Sequence, residues 1–234
     1  MLTKIENKTT LAKVGLVFTT LAWGATFVIT DEALKDAPPF TFNAYRFLIA
    51  FLSTLLIVRN KIFNLNKLEF TGAFVCAILL FLGYNFQNFG LWLDSTPTTS
   101  AFITSISVIL VPIFLVISGQ QKISIKIWCS VSLALVGLLM LLNPLGSGFK
   151  IGDVITFGCA IFFACHIIFQ DKYVKKKINI FRFFLTQITI VCILSFLCSF
   201  LFEPSSLLSS FYIDFWSPIL IKALLINGII ATTI

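Results

Sequence analysis

Residues 86–114 read FQNFGLWLDSTPTTSAFITSISVILVPIF. An apolar run closes at Leu93, Asp94 and a Ser/Thr/Pro turn follow, and a second apolar run opens at once. The two runs extend over 70–93 and 98–118. Each is close to the roughly 20 residues that a helix needs to cross ~30 Å of hydrocarbon. Working outward, the same kind of block recurs at 14–30, 42–58, 126–142, 154–170, 182–202 and 217–234, with no acidic residue well inside any of them. Backbone N–H and C=O groups in lipid must be satisfied within the segment, so helices are expected, and the alternating ten-residue strands of a barrel are absent. The fold class read from this pattern is all-α, a polytopic membrane helix bundle of about eight spans.

Composition agrees. The 234 residues are 58% hydrophobic and 12% charged, with 27 Phe, whereas soluble domains carry about 25% charged residues. The first block has a basic flank at Lys8 and Lys13, as a signal peptide does, but it lacks a small-x-small cleavage site and more spans follow. It reads as a retained helix.

The loops are short, so basic residues report orientation. With the N-terminus in the cytoplasm, Lys4, Lys8, Lys13, Arg59, Lys61, Lys67, Lys122, Lys126, Lys172, Lys175, Lys176, Lys177 and Arg182 all fall inside, against Lys35 and Lys150 outside. The acids Asp31, Glu32, Asp36, Asp94, Asp153, Glu203 and Asp214 fall outside. The chain is therefore expected in a cell (inner or plasma) membrane, multi-pass, with its N-terminus cytoplasmic. The net charge of +7 is explained by basic loops at an anionic inner leaflet and calls for no nucleic acid.

Cys76, Cys129, Cys159, Cys165, Cys192 and Cys198 all lie in spans and form no C-x-x-C pair. With His166 the only histidine, no metal-ligand set emerges, and no cofactor is expected. H-E-x-x-H, G-x-S-x-G and P-loop motifs are absent, so an enzyme is not expected.

The Pro/Gly-rich connection NPLGSGFKIGD (143–153) separates a first set of five spans from a new series. A shift of 140 residues lays 14–30 on 154–170, with Asp31 on Asp171, Lys35 on Lys175, Trp23 on Phe163 and Thr26 on His166. Five is odd, so a copy of a five-span unit runs inverted, an architecture of secondary transporters. The expected organisation is 1–142 as the first repeat and 143–234 as an incomplete second repeat of about three spans.

Three stretches carry a family resemblance: LAWGATFVITDEALKDAPPFTFNAYRFLIA (21–50), the opening quotation (86–114) with its Pro112, and SIKIWCSVSLALVGLLML (124–141) with its Gly137. They resemble the EamA-type carriers of the drug/metabolite transporter superfamily, closely over 14–142 and loosely over 152–234. That resemblance implies ten spans in two inverted repeats, and export or exchange of small metabolites. The family's acidic residue after the fourth span is replaced here by Gln121. A second repeat matching the first would need roughly 50–60 further residues, enough for two more spans.

Polar residues inside spans are candidate site residues, because lipid makes them costly. In the first span Thr19, Trp23, Thr26 and Thr30 share a face, with backbone self-bonding as the alternative for the threonines. In the second, Tyr45 is a candidate, and Asn43 and Arg46 share a face. Arg46 is expected to snorkel outward, to pair with Asp94 or to meet an anionic substrate. In the third, Tyr84, Asn85, Gln87 and Asn88 are too polar to face lipid together, and Ser100 and Thr104 of the fourth are placed to meet them, as substrate contacts or interhelical bonds. His166 and Gln187 complete the set, and Lys222 is read as snorkelling. The expected activity is alternating-access transport of a small polar or amphipathic metabolite. A non-transporting remnant or partner subunit and, further off, a membrane enzyme stay open. Expected partners are the lipid bilayer and a small-molecule substrate, with a homodimer left open as an assembly.

Overall fold

A computed structural model gives the architecture, and it describes residues 2–58, 65–119, 124–142, 148 and 150–233. Arg59, Lys61, Gln121, Lys122 and most of the 143–153 connection lie outside these, as do the side chains of Lys4, Lys8 and Lys13. The described residues form helices α1 (Leu2–Ala33), α2 (Pro39–Val58), α3 (Lys67–Leu93), α4 (Pro97–Ile117), α5 (Ile125–Leu142), α6 (Ile151–Val174), α7 (Ile180–Phe202), α8 (Pro204–Ser209) and α9 (Pro218–Leu225). A 3-10 turn, Ile213–Phe215, precedes α9, and a π-helical segment, Ile226–Thr233, continues it. Every apolar block falls on one of these helices. Among the described residues α2, α3, α4, α6 and α7 are long and apolar enough to cross a membrane, while Ile125–Gly137 and Pro218–Thr233 are shorter apolar helices.

Helix starts follow local chemistry. Proline opens α2, α4, α8 and α9, where its missing N–H costs nothing. Asn66, Thr96, Asn179 and Ser217 accept from backbone N–H groups in the first turns of α3, α4, α7 and α9. Asn66, Thr96 and Asn179 lie outside the apolar runs, so α3, α4 and α7 begin before their blocks do, whereas Ser217 is the first residue of its block. Gly119 closes α4 at φ 67°, a left-handed conformation that suits glycine.

The distribution of polarity is inverted relative to a soluble protein. Leu56, Ile57, Val108, Leu133 and Phe200 are exposed, while Arg46, Asn43, Asn88 and Gln187 are buried. Apolar side chains around the rim and polar ones within suit a bundle whose solvent is lipid. The chain is a multi-pass membrane protein.

Its strongest seam is the antiparallel pair α3 and α6. Gly90 of α3 and Gly152 of α6 bring their backbones together. A Cβ on Gly90 would lie 2.6 Å from the Gly152 carbonyl oxygen. Further along, Phe86 covers Gly158, Phe163 covers Gly83 and Tyr173 covers Gly72. In lipid, where helices gain little by hiding apolar surface from one another, small residues that let helices approach supply the contact. Helix α2 packs on α7, α4 on α6, and α1 on α9 and the π segment. Phe47, Ala50, Ala77, Ile188, Val191 and Cys192 make the apolar cluster where α2, α3 and α7 meet.

Gly152→Ala is expected to cost at least about 2 kcal/mol, because the new methyl would fall against the Gly90 carbonyl, which cannot swing aside. Gly24→Ala, with nothing within 4 Å of the added atom, is the control. Detergent melting curves should show a fall for the first and none for the second.

Candidate functional site

The polar interior is built where α2 and α3 face each other. Asn43 donates through Nδ2 to Asn85 Oδ1 at 3.0 Å and accepts at Oδ1 from Asn88 Nδ2 at 2.8 Å. Asn85 also donates to the Phe81 carbonyl at 2.7 Å. Sequence spacing placed Asn85 and Asn88 together, and α2 supplies the amide that joins them. Asn88 is fully buried, and its Oδ1 has no partner among the described residues.

One turn beyond Asn43, Arg46 is 3% exposed. It neither snorkels nor pairs with Asp94, whose Oδ1 instead accepts from the Gly152 N–H at 2.6 Å. A backbone N–H donor in the first turn of α6, at the positive end of that helix, holds the Asp94 carboxylate there. The Arg46 guanidinium lies over the Tyr84 ring, 4.1 Å from its centre, and over Phe47 at 5.5 Å. Its Nε and Nη2 reach Thr232 Oγ1 at 3.4 and 3.3 Å. Tyr84 packs edge-on to Phe47 and to Phe163 of α6.

His166 and Gln187 bridge α6 and α7, with Nε2 of each 2.8 Å apart. Whichever way the amide is turned, one polar end of Gln187 meets the imidazole and the other is left without a partner. Gln87 donates to Thr104 Oγ1 at 3.0 Å and points at Cys159 Sγ at 3.8 Å, tying α3 to α4 and α6. Ser100, expected to join Thr104 there, is buried with its Oγ unpartnered, as is Ser195 of α7.

Other candidates sit apart. Tyr45 turns toward the end of the bundle, where its hydroxyl meets Ser210 Oγ at 2.6 Å and its ring meets Trp216 edge-on. Trp23 is 51% exposed, and its Nε1 donates to the Ala231 carbonyl at 2.7 Å. Thr19 and Thr26 satisfy themselves on the Gly15 and Trp23 carbonyls. Lys222 is exposed.

Sequence reasoning missed two features. Asn227, fully buried, donates to Thr30 Oγ1 at 3.2 Å and to the Ala223 carbonyl at 3.0 Å. The 140-residue shift that aligns the first and sixth spans also lays Gln87 on Asn227, and that was the available signal. The second is a set of carboxylates at the bundle ends. Glu69 accepts from the Asn179 N–H at 2.9 Å and from Arg182 Nε and Nη2 at 3.0 and 2.8 Å. Glu203 accepts from the Phe40 and Thr41 N–H groups at 3.0 and 2.7 Å and from Thr41 Oγ1 at 2.8 Å. Glu69 lies just outside an apolar block, and nothing in the sequence signals its reach to α7.

Asn43→Leu should strand Asn85 Oδ1 and Asn88 Nδ2 together. We expect a loss of about 2–4 kcal/mol from two orphaned buried groups, measured by denaturation in detergent. A loss under about 0.5 kcal/mol would contradict the bonded triad.

The sequence profile of the EamA-like transporter family matches residues 11–143. An uncharacterized transporter from Archaeoglobus fulgidus is 37% identical over 163 residues, 69% of this chain and 49% of its own length. The uncharacterized transporter YoaV of Bacillus subtilis is 24% identical over 230 residues, 93% of this chain and 74% of its own. The chain thus spans about half the length of the archaeal relative. With the profile spanning more than half of the chain and one relative 37% identical over 69% of it, the chain belongs to the EamA-like transporter family.

Proposed function

We propose that the protein is a secondary transporter, an exporter or exchanger, that moves a small polar or amphipathic metabolite by alternating access. The observation that carries this reading is an under-bonded polar interior with carboxylate contacts between helices at both ends. Asn88, Ser100, Gln187 and Ser195 hold buried polar atoms that lack partners among the described residues. At one end Glu69 holds the first turn of α7 through Asn179 and Arg182. At the other, Glu203 holds the first turn of α2 through Phe40 and Thr41.

In the proposed organisation, residues 1–142 and 143–234 are the two inverted repeats, the N-terminus is cytoplasmic and the membrane is the inner or plasma membrane. Helices α2 and α7 are then repeat mates, each held at its N-terminus by a carboxylate on opposite faces. The contacts support this arrangement. Exchanging the repeats turns α3 on α6 into α9 on α1, turns α3 on α7 into α9 on α2, and leaves α2 on α7 unchanged, and all of these pairs are in contact.

Proteoliposomes loaded with a mixture of small metabolites should lose at least one over time. Asn88→Ala should abolish that loss while still inserting. No time-dependent loss from wild-type vesicles would sink the transport reading in favour of a remnant or partner subunit, and a product formed in detergent without a sealed vesicle would indicate an enzyme.

The latches can be tested separately. On a cysteine-free background carrying Ser195→Cys, Glu69→Gln should raise labelling by an impermeant maleimide from the cytoplasmic face. Glu203→Gln should raise it from the opposite face. Equal labelling in both variants would exclude alternating access through these ends.

A further inference from the structure

We propose that the buried guanidinium of Arg46 is the anion-binding element of the interior and that the ligand it takes is a monoanionic amphipathic carboxylate. This rests on the transport reading for its physiological meaning, but the binding chemistry stands on the geometry alone.

A guanidinium carries five N–H donors in a planar fork and keeps its charge in proteins. At 3% exposure, Arg46 can pass little of that charge to solvent. Among the described residues no carboxylate is paired with it. The described ion pairs are Lys35 with Glu32, Lys175 with Asp171 and Arg182 with Glu69. Asp36, Asp94, Asp153 and Glu203 are bonded at helix ends, to Ser217, Gly152, Ser95 and Thr41. Thr232 Oγ1 accepts from Arg46 at 3.3–3.4 Å, longer than the usual ~2.9–3.0 Å for N–H···O. That hydroxyl donates its own proton to the Asn227 carbonyl at 2.7 Å. Nε and Nη2 thus share one distant hydroxyl, and the polar side chains against the fork, Thr232 and Tyr84, carry no negative charge.

The Tyr84 and Phe47 faces stabilise a cation without neutralising it. A buried unpaired charge is strongly unfavourable, and an incoming anion would relieve it. The fork selects a planar two-oxygen acceptor, hence a carboxylate. The described helix interior offers no second Lys or Arg beside Arg46, which favours one negative charge over two. The ring faces of Tyr84, Phe47 and Phe163 would meet an apolar portion of the ligand. The partly bonded Thr232 lies on a π-helical segment, where carbonyls are displaced from ordinary register, and such segments recur at ligand sites.

Benzoate, benzamide and benzylamine share a ring and differ in charge, so they are the probes. With the full chain in detergent, benzoate should raise the melting temperature and change the tryptophan fluorescence in a saturable way, while benzamide and benzylamine should not. Arg46→Gln should weaken benzoate binding roughly tenfold to hundredfold, the value of a charge-assisted contact. Arg46→Lys keeps the charge but loses the fork, and should bind benzoate more weakly than wild type while still rejecting benzamide. Should Arg46→Gln not fold, the Lys variant carries the comparison. Equal responses to the three probes, or undiminished benzoate binding in whichever of the Arg46 variants folds, would overturn the proposal. Benzoate binding in detergent without metabolite flux in vesicles would sink the transport reading and leave the anion site standing. Flux of a neutral or cationic metabolite without benzoate binding would do the reverse.

Discussion

The start of a helix presents N–H groups that nothing in the helix can satisfy, and near hydrocarbon water is a poor substitute. This chain meets that constraint by lending carboxylates between helices. Glu203, at the end of α7, satisfies the start of α2. Asp94, at the end of α3, satisfies Gly152 in the first turn of α6. Glu69, in the first turn of α3, satisfies the start of α7. Each bond pairs a negative charge with the positive end of a helix dipole, which adds to the hydrogen bond itself. Helices that gain little from hiding apolar surface in lipid are thus fixed at their ends by polar contacts, and the glycine seam of α3 and α6 needs only to bring the shafts together.

That division of labour explains what could be read from the sequence. Element type and approximate bounds were legible because membrane thickness sets the block length and the backbone leaves only helices. The bounds moved by a few residues wherever a cap such as Asn66 or Asn179 extended the helix past its apolar run. Lateral neighbours were not legible. A span's period tells which residues share a face, as with Asn43 and Arg46, but not which helix that face meets. So Asn85 and Asn88 were found while their bridging partner was not, and Arg46 was offered Asp94 when the geometry gives it Tyr84 and Thr232. Asn227 shows the same gap from the other side, since a lone amide in an apolar block becomes interpretable only once the Thr30 side of α1 is placed against it.

The π-helical continuation of α9 marks where local preference yields to packing. Thr232 and Thr233 donate to the carbonyls five residues back, at Asn227 and Gly228, rather than to those four back. Gly228 lies against Ile49 and the Arg46 carbonyl, so α2 presses closely there. The Ala231 carbonyl is free to accept from Trp23.

The ends of the bundle are richly bonded, and its middle is not. Glu69 and Glu203 each accept several hydrogen bonds, whereas Asn88 Oδ1, Ser100 Oγ, Gln187 Oε1 and Ser195 Oγ have none among the described residues. Each buried orphan costs roughly 1–3 kcal/mol, and a fold selected only for stability would fill those positions with apolar residues of similar size. Retaining them makes sense if something that crosses the interior, a solute or the water it displaces, completes the bonding in passing. An interior fully satisfied by its own side chains would hold a passing solute no better than lipid does. An interior with more orphans would not stay closed around them. Glu69 and Glu203 thus concentrate the bonding at the two ends of the bundle, where charged groups meet helix N-termini, and leave the middle under-bonded.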